Sequence, residues 1–207
     1  MKQTLFNRYP SLKVCGAELD AAVQTLIACF ENGGKLLLCG NGGSCADCEH
    51  IVGELMKGFL KMRPVDVETR AAMVARCGEV APMLDRLQGG LPAVSLPSFT
   101  GLNSAFCNDV DPELMYAQPL MGLGREGDVL MALSTSGNSK NVVAAVKVAK
   151  SLGLTVIGLT GQGGGAIKAL ADITVCAPET ETFQVQELHL PIYHYLCAAV
   201  EHHFFEQ

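Results

Sequence analysis

The sequence of 207 residues contains no apolar run of about 18 residues, the length that a membrane-spanning helix requires. It is also short of basic residues: 15 Lys and Arg lie scattered among 21 Asp and Glu, which gives a net charge of −6. A nucleic-acid surface needs clustered cations, because it binds by displacing counterions from phosphates. We therefore expect neither a membrane nor a nucleic acid as partner, whereas a small anion held by backbone amides is compatible with this charge.

The first twenty residues lack the apolar core of a secretory signal peptide, since Pro10, Lys13 and Glu18 interrupt them. This predicts a cytoplasmic protein. The nine cysteines are an odd number, and most of them lie in apolar runs where a free thiol packs as a small hydrophobic group. A disulfide framework is not expected in a reducing compartment.

Short apolar stretches bounded by turn residues alternate with segments of helical periodicity. The stretches are typical of buried parallel strands, and their alternation with helices predicts a sheet covered on both faces. We expect a single α/β domain over residues 1–207, a three-layer αβα sandwich with a mostly parallel five-stranded sheet. The predicted strands are residues 35–40, 91–98, 128–135, 155–161 and 173–177.

Helical periodicity predicts an N-terminal helix over about 10–31, further helices over 44–59 and 138–153, and a long C-terminal helix over 183–205. Residues 62–90 break the alternation and carry much of the local charge. They predict one or two short helices closed by Gly89 and Gly90. A surface insertion is the ordinary interpretation, and a lid or subunit contact is the alternative.

The loop "STSGNS", residues 134–139, follows a predicted strand and precedes a helix. In a parallel sheet, ligands bind beyond the carboxyl ends of the strands, so this loop is a candidate site. Its four hydroxyls and the free N–H groups of the following helix suit a phosphate, although an ordinary helix cap would use the same residue types. No Gly-Lys-Ser/Thr follows at the spacing of a Walker loop.

A second rich loop is "CGNGGSCADCEHIVGEL", residues 39–55. Its glycines fail the dinucleotide pattern at Cys45, while Gly161, Gly163 and Ala166 match that pattern late in the chain and leave a nicotinamide cofactor as an alternative. Cys45 and Cys48 form a C-x-x-C at a helix start. This spacing is compatible with a redox pair, a zinc site or two packed thiols, and we favour packing because no second ligand pair is evident.

His50 and Glu54 lie four residues apart on one predicted helix and therefore share a face. They are either an exposed ion pair or a pair that converges on one metal or one substrate carbon. The C-terminal helix carries Gln186, His189 and His194 among apolar residues. We interpret His189 as a core side chain, and we interpret the two histidines of "EHHFF", at 202 and 203, as exposed helix-end residues.

Taken in order, these stretches resemble the sugar isomerase (SIS) domains and, among them, the phosphoheptose isomerases. These enzymes interconvert sedoheptulose 7-phosphate and D-glycero-D-manno-heptose 7-phosphate. The resemblance covers about residues 35–195 and rests on "CGNGGS", the helix with His50 and Glu54, "CND" at 107–109, "GREGDVL" at 124–130, "STSGNS", "GLTG" and "QELH" with His194. It implies a flavodoxin-like or Rossmann-like SIS fold and a homo-oligomer, most simply a tetramer.

The resemblance also implies the residue roles. Glu54 is the base and His194 the acid of an aldose–ketose isomerisation, which moves a proton between adjacent carbons through an enediol. One zinc is implied per site, with His50, Glu54, Gln186 and His194 as its ligands. The implied substrate-binding residues are Asn41, Gly42, Gly43, Ser44, Glu54, Asn108, Asp109, Ser134, Thr135, Ser136, Ser139 and Gln186.

Geometry adds a constraint on the implied ligands. If Gln186 and His194 lie in one helix, eight residues separate them by ~12 Å of rise, whereas the ligands of one zinc each lie ~2 Å from it. Gln186 then precedes the helix, Pro191 distorts the helix, or two chains share the site. We favour the shared site, with the helix over about 10–31 in the interface.

Two other functions stay open for such a chain. The first is a regulator without catalytic activity that binds a sugar phosphate or a replication initiator, and the second is a phosphosugar lyase or etherase. Because related regulators can lose the acid/base pair, the presence of both Glu54 and His194 favours the enzyme.

Overall fold

A computed structural model describes residues 1–205 of the chain. Within them, the strands form one parallel sheet of five strands in the order β2-β1-β3-β4-β5, which confirms the predicted fold class. Every residue of the central strands β1 and β3 is buried, as expected for a sheet covered on both faces. The strands are β1 Leu36–Gly40, β2 Ala93–Ser95, β3 Val129–Ser134, β4 Thr155–Thr160 and β5 Ile173–Cys176.

Helices fill the connections between these strands and extend the chain at both ends. Short 3-10 segments also occur, at Pro10–Cys15, Gly78–Val80, Leu96–Ser98 and Pro112–Leu114. The α-helices are α1 Lys2–Arg8, α2 Gly16–Glu31, α3 Gly43–Met56, α4 Val67–Arg76, α5 Thr100–Asp109, α6 Ala117–Leu123, α7 Lys140–Ser151, α8 Gly165–Leu170 and α9 Thr182–Phe205.

The two faces of the sheet contribute to two separate hydrophobic cores. Because successive strand residues point to opposite faces, Leu36 and Leu38 of β1 pack with α2, α3 and α9, while Leu37 and Cys39 pack with α6 and α7. The molecule therefore has three layers, with helix α9 in the same layer as α2 and α3. This placement brings the C-terminal helix onto α3.

Some predicted boundaries were wrong at the ends of elements. The N-terminal helix begins at Gly16, after a 3-10 segment that has Pro10 in its first turn, and α1 precedes both. The buried side of α2 packs into the core of its own chain. Strand β2 ends at Ser95 because a 3-10 turn containing Pro97 follows, and proline cannot donate to a sheet.

The remaining fold predictions have clear outcomes. None of the helices within residues 1–205 is both long and apolar enough to cross a membrane. All nine cysteines fall in this range and are free thiols. The insertion at 62–90 contains α4 and a 3-10 turn, as predicted, and its base is closed where the Gly89 N–H donates to the Arg63 carbonyl oxygen at 2.7 Å.

The base of the insertion holds a buried ion pair. The side chains of Arg63 and Glu201 have no solvent exposure, and the Arg63 Nε donates to a Glu201 carboxylate oxygen at 2.9 Å. Arg63 also donates to the carbonyl oxygens of Glu54 and Leu55 in the last turn of α3. A cation is favourable there, because the carbonyls at a helix C-terminus carry partial negative charge. The guanidinium therefore joins the end of α3 to α9.

Glu201 is the other half of this junction. Its two carboxylate oxygens each accept a backbone N–H at 2.8 Å, from Phe59 and from Leu60. Burial by itself raises the pKa of Glu201, but these hydrogen bonds and the Arg63 guanidinium outweigh it and hold the pKa below its usual range. The carboxylate thus stays ionised and fixes the loop that leaves α3.

Replacing Arg63 with Met should lower the free energy of unfolding by about 3–5 kcal/mol, because Glu201 would be left as a buried charge without its partner. Urea denaturation of the wild-type and variant proteins measures this difference. The matched control is Arg70→Met in the same insertion, since Arg70 pairs with Asp85 at 2.8 Å on the exposed surface. We expect the control to lose less than about 1 kcal/mol, and equal losses in the two variants would contradict the role of the buried pair.

Candidate active site

The loops after β1 and β3 lie side by side at the carboxyl edge of the sheet, because these strands are neighbours. Their connection is a reciprocal amide pair: Asn41 and Asn141 each donate an Nδ2 hydrogen to the other's Oδ1, both at 2.9 Å. The Tyr116 hydroxyl donates to the Gly40 carbonyl oxygen at 2.7 Å and also contacts Asn41. The glycine loop of 40–43 is thus fixed to the first turn of α7.

The loop "STSGNS" has the form of an anion site. The Ser134 and Ser139 hydroxyls are hydrogen-bonded to each other at 2.9 Å, and Ser134 is buried. Ser139 is the N-cap residue of α7, yet its side chain makes no capping hydrogen bond to the helix. An ordinary cap is therefore not what these serines provide, and the N-terminal N–H groups of α7 face the loop without a side-chain cap from Ser139.

Gly137 occupies a position of the "STSGNS" loop that only glycine tolerates. It has a φ of +67°, and a Cβ atom there would lie 2.1 Å from the Gly164 carbonyl oxygen, so no other residue fits. The Ile167 N–H donates to the Gly137 carbonyl oxygen, and the Ala166 N–H donates to Asn138 Oδ1 at 3.0 Å. The glycine thus packs the "STSGNS" loop against the loop after β4.

The two cysteines of the C-x-x-C lie in α3, and the structure favours packed thiols. Cys48 is fully buried, and burial raises its pKa well above the ordinary value. Burial and the nearby Glu49 also raise the pKa of Cys45. A redox-active thiol needs the opposite shift, because the thiolate is the reactive form.

His50, Glu54 and His194 come together within one chain. The His50 Nε2 lies 3.1 Å from a Glu54 carboxylate oxygen, and the rings of His50 and His194 are 5.0 Å apart between centroids. One ligand atom from each of the three side chains falls within 4.8 Å of the others. The residues of the predicted acid/base pair are therefore neighbours, although 140 positions separate them in the sequence.

His194 is half-buried in this cluster. Its ring stacks at a tilt on Phe59, 5.4 Å away, and its Nε2 is buried without a hydrogen-bond partner among the described residues. Burial, and then the neighbouring His50, lower the pKa of His194, while Glu54 raises it in part. The imidazole is thus neutral near pH 7 and can accept a proton at one nitrogen while donating from the other.

Two imidazoles and a carboxylate are a typical donor set for zinc, which takes three protein ligands and an open position in catalytic sites. The unpartnered Nε2 of His194 also fits a missing ligand, because buried polar atoms are seldom left without a partner. His50, Glu54 and His194 therefore suit a divalent metal.

Gln186 does not join this cluster within its own chain. It lies in α9 with His194, and α9 runs through both residues, so the separation is ~12 Å of rise. The interpretation in which Gln186 precedes the helix was wrong. The Gln186 amide instead lies against the glycine loop, where a Cβ on Gly43 would be 2.6 Å from its Nε2. This position suits a substrate contact at residues 41–43 rather than a ligand beside His194.

The other residues singled out in the sequence lie either at the surface or in the interior. Asn108 and Asp109 are exposed at the end of α5 and hydrogen-bonded to each other at 2.8 Å. Ser44 is buried in the first turn of α3. His189 is a core side chain, as predicted, and its Nε2 lies 3.2 Å from the Thr160 carbonyl oxygen. The histidines at 202 and 203 are exposed, which was also predicted.

Sequence reasoning missed several residues that shape the site. Tyr193 contacts His50, Arg63 holds the end of α3, and Phe59 packs on His194. No motif marks them. For Tyr193, its position directly before His194 was a signal that it lies near the site. Arg63 was not recognised as buried, because residues 62–90 are rich in charge and so indicate a surface segment.

Comparison with known proteins gives a consistent result. The SIS domain family matches residues 16–89 and 72–161, which together exceed half of the chain. A phosphoheptose isomerase of Methylibium petroleiphilum is 39% identical over 192 residues, 91% of this chain and 84% of the relative. That of Rhodospirillum rubrum is 36% identical over 199 residues and covers 96% and 93% of the two chains.

Two solved structures of phosphoheptose isomerases are similar to this chain along nearly its whole length. The phosphoheptose isomerase of Neisseria gonorrhoeae superposes with a TM-score of 0.76 at 30% identity, over 97% of this chain and 94% of the other. The one from Francisella tularensis gives 0.74 at 29% identity, over 96% and 95%. Both structures therefore match nearly the whole of this chain. The chain belongs to the SIS domain family and, within it, to the phosphoheptose isomerases, a group of aldose–ketose isomerases.

Proposed function

We propose that this isomerase interconverts sedoheptulose 7-phosphate and D-glycero-D-manno-heptose 7-phosphate, with Glu54 as the base and His194 as the acid. The observation that carries the proposal is the contact between α3 and α9, which places these two side chains in one cluster. The relatives that are named phosphoheptose isomerases favour this reaction over a regulator without activity or a lyase.

The phosphate would bind at "STSGNS". The hydroxyls of Ser134 and Ser139 already meet at 2.9 Å, and α7 begins directly after them, so hydroxyls and N–H groups converge without a lysine. Thr135 and Ser136 extend this set along the loop. The sugar would run from there along Asn41, Gly42 and Gly43 toward Glu54. Asn108 and Asp109 are further substrate contacts in this proposal, as are Ser44 and Gln186.

The reaction then needs two proton transfers on carbon and two on oxygen. The Glu54 carboxylate removes a proton from C1 of the ketose, and His194 protonates the C2 carbonyl oxygen, which gives an enediol. Glu54 then returns its proton to C2, while His194 takes the proton from the C1 hydroxyl, and the carbonyl forms at C1. The neutral His194 ring suits both steps, because the nitrogen that gives its proton to the C2 oxygen can then take the proton of the C1 hydroxyl.

We also propose one zinc per site, held by His50, Glu54 and His194. When bound, it would polarise the carbonyl and stabilise the negative charge of the enediolate. Support comes from the donor set and from the unpartnered His194 Nε2. Gln186 could be a fourth ligand only if another chain supplied it.

We propose a homo-oligomer, most simply a tetramer, with sites shared between chains. An apolar cavity of about 460 Å³ opens beside His194, and the exposed side chains of Leu60 and Leu190 line it. The side chain of His50 is 43% exposed, which leaves the cluster open on one side in the single chain. A second chain packed against this face would bury both the apolar cavity and the exposed side of His50. The nine free thiols suit a reducing location, and we place the protein in the cytoplasm.

Replacing Glu54 with Gln should reduce kcat for sedoheptulose 7-phosphate by about 10²–10⁴-fold, because the amide cannot take the proton from carbon. KM should change less than kcat, since the phosphate loop is untouched. The assay follows aldose formation by the purified enzyme. The matched control is Glu49→Gln on the same helix, where Glu49 accepts a hydrogen bond from Ser98 instead. Full turnover by Glu54→Gln would contradict the role of Glu54 as the base. A wild-type enzyme without turnover would contradict the proposed substrate.

Enzyme purified without chelator should contain about one zinc per chain by elemental analysis, because two imidazoles and a carboxylate bind this ion well. The Glu54→Gln and His194→Gln variants should bind it more weakly, as measured by competition with a coloured chelator. His203→Gln is the control, since His203 pairs with Glu31 on the surface. A preparation free of metal that keeps full activity would contradict the zinc proposal.

Shared sites predict rescue between two defective variants. If Glu54 and Gln186 of one site come from different chains, mixed oligomers of Glu54→Gln and Gln186→Ala should regain activity at about one quarter of the sites by random assembly. Light scattering on the separated mixture gives the mass, and an assay gives the recovered activity. A mixed oligomer with no activity above that of the two variants alone would show that Glu54 and Gln186 of one site come from the same chain.

A further inference from the structure

We propose that Asp47 and Tyr193 form a hydrogen-bonded relay that fixes the ring orientation and tautomer of His50, so that its Nε2 is presented as an unprotonated ligand atom. Tyr193 is thus a positioning residue, which acts through His50 and not on the substrate. Its effect on catalysis rests on the proposed function of the cluster, whereas its effect on His50 itself does not.

The relay spans the contact between α3 and α9. The Tyr193 hydroxyl donates to Asp47 Oδ1 at 3.1 Å and lies 2.9 Å from His50 Nδ1. Asp47 and His50 are three residues apart on α3 and therefore share a face of that helix. Tyr193 comes from α9 and is only 1% exposed, so water does not offer its hydroxyl an alternative partner.

The direction of the relay follows from the number of protons. A tyrosine hydroxyl has one hydrogen, and a carboxylate can only accept, so the hydrogen of Tyr193 points to Asp47. The Tyr193 oxygen is left as an acceptor, and the His50 Nδ1 beside it must be the donor. In a neutral imidazole this leaves the lone pair on Nε2.

That lone pair points into the cluster. The His50 Nε2 lies 3.1 Å from a Glu54 carboxylate oxygen, and neither atom has a hydrogen to donate in this tautomer. Two acceptors at this distance repel each other unless a proton or cation lies between them. The relay therefore prepares the pair to receive a cation, as groups behind metal-binding histidines commonly do.

Packing fixes the same ring from its faces. The rings of His50 and Tyr193 meet edge to face with centroids 5.4 Å apart, and those of His50 and His194 do so at 5.0 Å. The hydrogen bond at Nδ1 then settles the one remaining freedom, a flip of the imidazole. Because the side chain of His50 is 43% exposed, the ring would otherwise be free to turn toward solvent.

The test uses Tyr193→Phe and Asp47→Ala in the full-length enzyme, and nitrogen NMR of labelled histidine reads the His50 tautomer without metal. Wild type should show hydrogen on Nδ1. Tyr193→Phe should lose this preference, since no group accepts from Nδ1. Asp47→Ala should reverse it, because the Tyr193 hydroxyl becomes free to donate to Nδ1. The control is Tyr195→Phe, two positions along α9, and it should match wild type.

Zinc affinity and kinetics supply the second readout. Tyr193→Phe should bind zinc about 10–100-fold more weakly, and kcat should fall while KM stays near the wild-type value. Circular dichroism checks that each variant is folded. A wild-type tautomer and zinc affinity in both Tyr193→Phe and Asp47→Ala would overturn the relay. If the tautomer changes as expected but wild type neither binds zinc nor isomerises the sugar, the relay stands and the proposed function fails.

Discussion

Helix α3 starts at the glycine loop and α9 ends the described chain, yet the two meet on one face of the sheet, and their contact holds the parts of the site in place. Along this contact, His50 and Glu54 of α3 meet His194 of α9. Further along α9, Glu201 pairs with Arg63, which binds the last turn of α3. A buried ion pair contributes little net stability compared with apolar packing, but removing one partner is costly, which makes such a pair a strong constraint on geometry. Here it fixes the last turn of α3 and the loop after it.

The sheet supplies the second constraint. Parallel strands end at one edge, so the loops after neighbouring β1 and β3 must be adjacent, whatever their sequence. Side chains then fix the two segments: the Asn41–Asn141 pair joins the glycine loop to the first turn of α7, and Gly137 lets the loop after β3 approach the backbone of Gly164. The "STSGNS" loop and the glycine loop thus share one edge, while His50, Glu54 and His194 lie along the α3–α9 contact.

Much of this was readable in the sequence, and the limits have physical causes. The five strands were found because buried parallel strands are short apolar runs, and His50 and Glu54 were paired because four residues make a helical turn. Their approach to His194 needed the resemblance, since packing between distant helices has no local pattern. Arg63 was not predicted for a related reason: a charged segment indicates a surface, and the groups that stabilise its buried guanidinium, Glu201 and the carbonyls at the end of α3, are distant in sequence or unmarked by any motif.

The openness of the cluster links the fold to the chemistry. A carboxylate that removes a proton from carbon acts more strongly when water is excluded, because fewer solvent dipoles screen the developing charge. In one chain Glu54 is sheltered, with 14% of its side chain exposed, but His50 beside it faces solvent. The ring of Phe59 covers one side of His194, and Glu201 holds the Phe59 backbone through its N–H. The same ion pair that anchors α3 therefore also positions part of the apolar wall, whereas the side beside Leu60 and Leu190 stays open in the single chain.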